Sequence, residues 1–232
     1  MTVVAGTLTT ADALTWAVYG LLSQPSTLRK LKDELQSAIP DANAASSLVQ
    51  LENLPYLTAV IYEALRLSNG VSMRLSRIDP EKPIVYTANH SNTNNNDKDK
   101  AMKTYTIPPG TPISMTGILI HLNPSYFSNP LTFSPERWLP NPPAHPLTKY
   151  LVPFTRGTRQ CLGMNLAWAE LYLTLGMMFR RYGSNEVHDD GDKGVLKLFE
   201  FEYERDLEIK GDGALPLYSA GSKGVRIVVS KT

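Results

Sequence analysis

Cys161 is the only thiol in the 232-residue chain, so its neighbours decide what it can do. It sits in Phe154-Thr-Arg156-Gly157-Thr-Arg159-Gln160-Cys161-Leu162-Gly163, just ahead of a long apolar-periodic stretch at 165–182. Glycines at 157 and 163 let backbone approach a bulky flat ligand closely. A helix start offers unpaired N–H groups and the positive end of a dipole, which favour an anionic sulfur. Arg159 is placed to pair with an anionic group on the same ligand, and Phe154 to shield the sulfur from water. The competing reading is a small buried structural cysteine after a turn. One cysteine excludes a disulfide within the chain and a multi-cysteine zinc site.

Other residues have chemistry-bearing spacings. Glu63 and Arg66 stand at i and i+3, on one helix face, and form either a surface ion pair or part of something larger. Ala5-Gly6-Thr7-Leu8-Thr9-Thr10 places hydroxyls beside a glycine, which by itself reads as a Thr-rich turn of an ordinary buried helix. Arg77, in Met73-Arg74-Leu75-Ser76-Arg77, has a guanidinium that suits a carboxylate, or is a solvated strand charge. His121, in His121-Leu-Asn-Pro124, is a packing residue or a weak anion partner.

Phe154, Gly157, Arg159, Cys161 and Gly163 fill the pattern Phe-x-x-Gly-x-Arg-x-Cys-x-Gly, which resembles the haem-binding loop of the cytochrome P-450 superfamily. The resemblance implies that Cys161 is the proximal iron ligand, pushing electron density toward bound oxygen, with the other four residues binding the cofactor. Glu63-Ala-Leu-Arg66 is similar to the family's Glu-x-x-Arg motif, and Pro135-Glu136-Arg137 to its meander segment. Glu63, Arg66 and Arg137 are then expected to form a buried structural network. Residues 5–10 resemble the distal-helix motif, which makes Thr9 the catalytic hydroxyl that assists proton delivery. Leu8 departs from the pattern, because the family usually has an acid there. Arg77 is expected on a haem propionate.

The fold implied is mainly α with small β-sheets: the C-terminal part of the P-450 fold, from the distal helix to the C-terminal β-hairpin. Residues 1–232 are expected to be a single partial haem-thiolate domain without the family's N-terminal half, with a polar insertion loop at 88–103. Such a piece should be poorly stable alone, since its core was shaped to pack against other elements. The implied activity is monooxygenation: one oxygen atom from O2 enters a small organic substrate. The cofactor is haem b, and NADPH supplies electrons through a reductase partner, which exposed bases such as Arg156 would meet. Residues 5–10 and Ile-Pro-Pro-Gly-Thr-Pro at 107–112 look most like fungal secondary-metabolism members. The alternative is a truncated remnant, or a haem-binding module without turnover. The family is typically anchored to the endoplasmic reticulum membrane, though no transmembrane or signal segment is evident here.

These residues need elements to hold them. Leu14, Val18, Leu21 and Leu22 recur at helical spacing within 3–22. Pro25 opens a second helix, with Leu28, Leu31 and Leu35 inward, Arg29, Lys30, Lys32, Asp33 and Glu34 outward, and Pro40 as its stop. A polar linker follows at 41–47, then a helix from Pro55 to Leu67 with Leu57, Ile61, Ala64 and Leu65 inward. Strands are expected at 71–78, 84–87, 105–107 and 112–115. Residues 90–103 carry Asn, Asp and Lys without periodicity and read as an exposed insertion in a hairpin, and Asn89-His90-Ser91 matches a glycosylation acceptor. An irregular Pro-rich meander is expected at 131–150, a half-exposed strand at 198–203 and a last strand at 224–230. Lys plus Arg is 23 against 22 for Asp plus Glu, a balance that argues against a nucleic-acid partner. The apolar fraction of 42% suffices for a buried core.

Overall fold

The computed structural model describes residues 2–88 and 103–231, which form two compact units: 2–73 with 117–231, and 74–116. The Asn89 acceptor and all but the ends of the polar insertion lie outside the described residues.

The larger unit is helical. α1 (Thr2–Ser23) buries Ala13, Trp16, Ala17 and Leu21, so the core stripe is shifted from the expected one; Leu14, Val18 and Leu22 are only half-buried at its margin. Its Gly20 takes the Phe133 ring, where an added Cβ would lie 2.5 Å from the ring carbons. α2 (Pro25–Ala38) starts at its proline and buries Leu28, Leu31 and Leu35. Lys32 corrects the outward reading. It falls on the Leu28–Leu35 face and is buried, with Nζ 2.8 Å from Asp192 Oδ1 and 3.4 Å from Asp189 Oδ2. Burying the ammonium is tolerable because two carboxylates and the Phe179 carbonyl replace its water.

α3 (Leu48–Glu52) is a short, unexpected helix just after the polar linker; the Ser47 side chain caps it by accepting from the Gln50 amide. α4 (Pro55–Leu67) is buried on nearly every side. Its first turn has no cap of its own. Glu34 of α2 serves instead, accepting the Tyr56 and Leu57 amides at 2.8 Å each. Burial raises the Glu34 pKa against the lowering effect of those two bonds. α5 (Gly117–His121) is one further turn. α6 (Met164–Arg181) buries Leu171, Tyr172, Leu175, Gly176 and Phe179.

A three-stranded sheet follows. β5 (Tyr182–Ser184) runs parallel to β6 (Gly194–Leu198), and β6 pairs antiparallel with β9 (Ile227–Ser230). β7 (Gly211–Asp212) and β8 (Pro216–Leu217) form a small hairpin. The strand expected at 198–203 is not there. The ladder ends at Leu198 opposite Ile227, Glu200 turns the chain with φ of +45°, and α7 (Tyr203–Asp206) follows. Phe201 and Tyr203 pack on Tyr19, and Tyr203 also meets Trp16 edge-on, so their aromatic alternation serves a helix contact rather than a pleat.

In the smaller unit β1 (Leu75–Arg77) pairs antiparallel with β4 (Ile113–Met115). β2 (Ile84–Ala88) pairs with β3 (Lys103–Ile107), with Ile84 opposite Ile107. The strand expected over 71–78 is therefore confined to 75–77. Residues 131–150 form 3-10 turns, including Pro135–Trp138. Among the described residues, no helix is long and apolar enough to cross a membrane.

Candidate metal centre

The Cys161 loop is closed by its own backbone. The Cys161 amide donates to the Phe154 carbonyl at 2.9 Å, and Thr155 Oγ1 donates to the Arg159 carbonyl at 3.1 Å. Between them a 3-10 turn spans Gly157–Arg159, with Gly157 at φ +81°, where a side chain would be strained. Gly163 then forms the N-cap of α6. The Phe154 ring is anchored 6.0 Å from Trp168 of α6, which in turn lies 5.2 Å from Tyr62. This geometry presents the Cys161 thiol at the surface rather than burying it.

Among the described residues, no group of three His, Cys, Asp or Glu side chains is arranged around a metal position. The surroundings fit a flat apolar partner. Leu162, next to Cys161 in the chain, is 100% exposed, and Leu166, in the first turn of α6, is 59% exposed. A Cβ added to Gly163 would touch only Cys161 Sγ, at 3.9 Å, so nothing else in the fold demands glycine there. A haem would be held by Cys161, flanked by Phe154, Gly157, Gly163 and the exposed Arg159.

Behind the loop stands a buried ionic lock. Glu63, on α4, accepts five hydrogen bonds: from Arg66 Nε and Nη2 (2.9 and 2.7 Å), Ser134 N (2.9 Å), Arg137 Nε (3.0 Å) and Trp138 Nε1 (2.9 Å). Arg66 spends its other donors on the carbonyls of His121, Pro130 and Thr132. Glu63 and Arg66 have no exposed side-chain surface, which rules out the surface-pair reading. Trp138 was missed by sequence reasoning, because a donor 75 residues from its acceptor leaves no spacing signal.

His121 joins the lock to the loop. Its carbonyl takes Arg66 Nη1 at 2.9 Å, and its Nε2 accepts the Val152 amide at 2.9 Å, two residues before Phe154. Burial, then the neighbouring Arg66 charge, push its pKa down to about 4, so it stays neutral and able to accept. It is buried, with Nε2 taken by the Val152 amide.

On α1, Thr9 Oγ1 donates to the Ala5 carbonyl at 2.7 Å. Its proton is thus committed, while its oxygen lone pairs can accept from a ligand. Thr10 is buried, and Leu8 is exposed. A Cβ on Gly6 would meet nothing within 4 Å, whereas one on Gly70 would lie 2.8 Å from Thr9 Cβ. Asp12, one turn on, accepts from the Tyr218 hydroxyl and the Asn69 amide; burial raises its pKa over the opposing effect of those bonds. Arg77 belongs to the smaller unit, where its guanidinium is exposed and donates to the Ser76 carbonyl at 3.0 Å. The structure thus gathers Phe154, Gly157, Arg159, Cys161 and Gly163 in one loop and sets Thr9 on α1.

An exposed lone thiol just ahead of α6 thus sits in a loop closed by its own backbone, and the buried Glu63–Arg66–Arg137 network is tied to that loop through His121. Comparison with known proteins supplies the family. Residues 2–199 match the family described as Cytochrome P450. The chain is 46% identical over 228 residues to cytochrome P450 monooxygenase tpcC of Cochliobolus heterostrophus, covering 98% of this chain and 41% of that protein. It is 43% identical to cytochrome P450 monooxygenase astB of Talaromyces wortmannii, covering 100% of this chain and 45% of that one. N-acetyltryptophan 6-hydroxylase ivoC of Emericella nidulans is 37% identical, over 98% of this chain and 39% of its own length. This chain belongs to the cytochrome P450 family, and it spans about two-fifths of the length of these relatives.

Proposed function

We propose that this chain carries the thiolate half of a haem-dependent monooxygenase of fungal secondary metabolism. The observation that carries the reading is the exposed Cys161 thiol at the start of α6, in a loop closed by the Cys161–Phe154 backbone bond and lined by glycines. When bound, haem supplies the iron at which O2 is reduced and one of its oxygen atoms passed to a small organic substrate. Phe154 and Leu162 exclude water from the sulfur side. Arg159 pairs with a carboxylate of haem b. Thr9, with its own proton on Ala5, accepts a hydrogen bond near the reacting oxygen and helps hold the water that delivers protons. Leu8 leaves that water without the usual neighbouring acid. NADPH electrons arrive through a reductase, for which the exposed Arg156 offers a positive contact. Anchorage of the whole protein to the endoplasmic reticulum membrane is consistent with this role.

The decisive experiment is reconstitution with haem. A red-shifted, thiolate-type Soret band is expected for the reduced carbon monoxide complex, and Cys161→Ser should abolish it. A band that survives Cys161→Ser would overturn the ligand assignment. Haem binding without NADPH-dependent oxygenation in the presence of a reductase would overturn the activity while leaving the binding intact.

A further inference from the structure

Asp12 belongs to none of the motifs above, yet its side chain is a junction. Oδ1 accepts from the Tyr218 hydroxyl at 2.6 Å, and Oδ2 accepts from the Asn69 backbone N–H at 3.0 Å. Asn69 follows Ser68, the C-cap of α4, and its neighbour Gly70 is pressed against Thr9. Two residues on, the buried Ser72 hydroxyl donates to the Gly213 carbonyl at 3.0 Å, a second tie between the same two segments. Three stretches remote in sequence, α1, 69–72 and 213–218, are therefore tied together beside Thr9. A carboxylate suits this place because it is an acceptor at both oxygens, and both neighbours are donors.

We propose that Asp12 is a positioning residue that holds residues 69–72 and 213–218 against the α1 face carrying Thr9, and so shapes the space a small organic substrate meets there. Asp12 need not touch that substrate. The proposal deepens the monooxygenase reading, because it takes Thr9 to face the reacting ligand.

The test uses hydrogen exchange by mass spectrometry together with binding of two iron-ligating probes, imidazole and the bulkier 4-phenylimidazole, to the haem-loaded full chain. Charge-assisted bonds of this kind protect strongly, so Asp12→Ala should speed exchange roughly tenfold or more in peptides covering 67–72 and 215–220. Tyr218→Phe should do so in 215–220 alone. Asp12→Asn can keep both contacts, offering its oxygen to Asn69 N–H and its NH2 to the Tyr218 oxygen, and should keep protection and probe affinities within about twofold of the parent. In Asp12→Ala the affinity for 4-phenylimidazole should change several-fold more than that for imidazole. Unaltered exchange in Asp12→Ala and Tyr218→Phe would overturn the proposal. So would an Asp12→Asn chain that keeps protection but loses coupled turnover, since the acid would then act through its proton. Should Asp12→Ala not fold, Tyr218→Phe and Asp12→Asn still decide. Thr9→Ala tests the underlying reading separately: it should divert electrons to hydrogen peroxide without altering exchange, and unchanged coupling would overturn Thr9 alone.

Discussion

Replacing His121 by Gln should flatten the acid side of the stability profile. In the folded chain the His121 pKa is about 4, against an ordinary value of 6.5, because the ring is buried beside Arg66. Depression of a base means that the unfolded chain binds the proton first. Stability is therefore full above about pH 6.5, and falls with pH until the folded group also titrates near 4. Proton linkage over that window gives a loss of about 2 kcal/mol between roughly pH 7 and pH 5, with a limit of about 3 kcal/mol below the folded pKa. Protonation also removes the acceptor that holds the Val152 amide. Gln carries an amide oxygen at nearly the reach of Nε2 and does not titrate, so His121→Gln keeps the bond and drops the linkage. Carboxylates contribute to the same profile. Asp12 and Glu34 are raised and favour the native state as pH falls, whereas Asp189 and Glu136 are lowered and oppose it. Comparing parent and variant cancels these shared contributions. Urea unfolding at the two pH values measures the difference, and an identical pH slope in His121→Gln would refute the reasoning.

Glu63→Ala strands two guanidinium groups and an indole N–H in a buried site, so urea unfolding should show a loss of about 3–5 kcal/mol or a failure to fold. Lys32→Met leaves the fully buried Asp192 without its ammonium and should cost about 3–5 kcal/mol, whereas joint replacement of Lys32 and Asp192 by apolar residues should recover much of it. Gly6→Ala meets no neighbour within 4 Å and removes a helix-interior glycine, so thermal unfolding of the haem-free chain should rise by about 0.5–1 kcal/mol. The same methyl should weaken binding of bulky iron ligands in the haem-loaded chain; if it does not, Gly6 is not facing them.

What the sequence made legible divides by the range of the interaction. Pro25 and Pro55 open α2 and α4 where they stand, because a proline at a first helical turn is a local signal. The Cys161 loop was readable because its parts are contiguous. Glu63 and Arg66 were readable as a pair because i and i+3 share a face, and Arg137 only through a family resemblance. Lys32, Trp138, Glu34 and Asp12 were not readable. Each has a partner far along the chain, and local pattern treats a charged residue as exposed. The strand expected at 198–203 failed for the converse reason: its aromatic alternation satisfied a local rule, but Tyr19 and Trp16 claimed the rings.

The buried lock bears on the exposed thiol through geometry rather than through energy. A buried ion pair is weak support for stability, since well-packed apolar residues often do as well. What it supplies here is fixed direction: five donors on Glu63 leave the carboxylate one arrangement, and Arg66 is bound on all five of its N–H groups. From Arg66 the bonds continue to the His121 carbonyl, from the His121 ring to the Val152 amide, and from there two residues along the chain to Phe154, whose carbonyl holds the Cys161 N–H. Cys161 has little packing of its own, being exposed between Gln160 and the fully exposed Leu162. Its place therefore depends on backbone bonds, and those lead back to the lock. The Cys161 sulfur thus lies at the surface while the charges tied to its loop lie in the core.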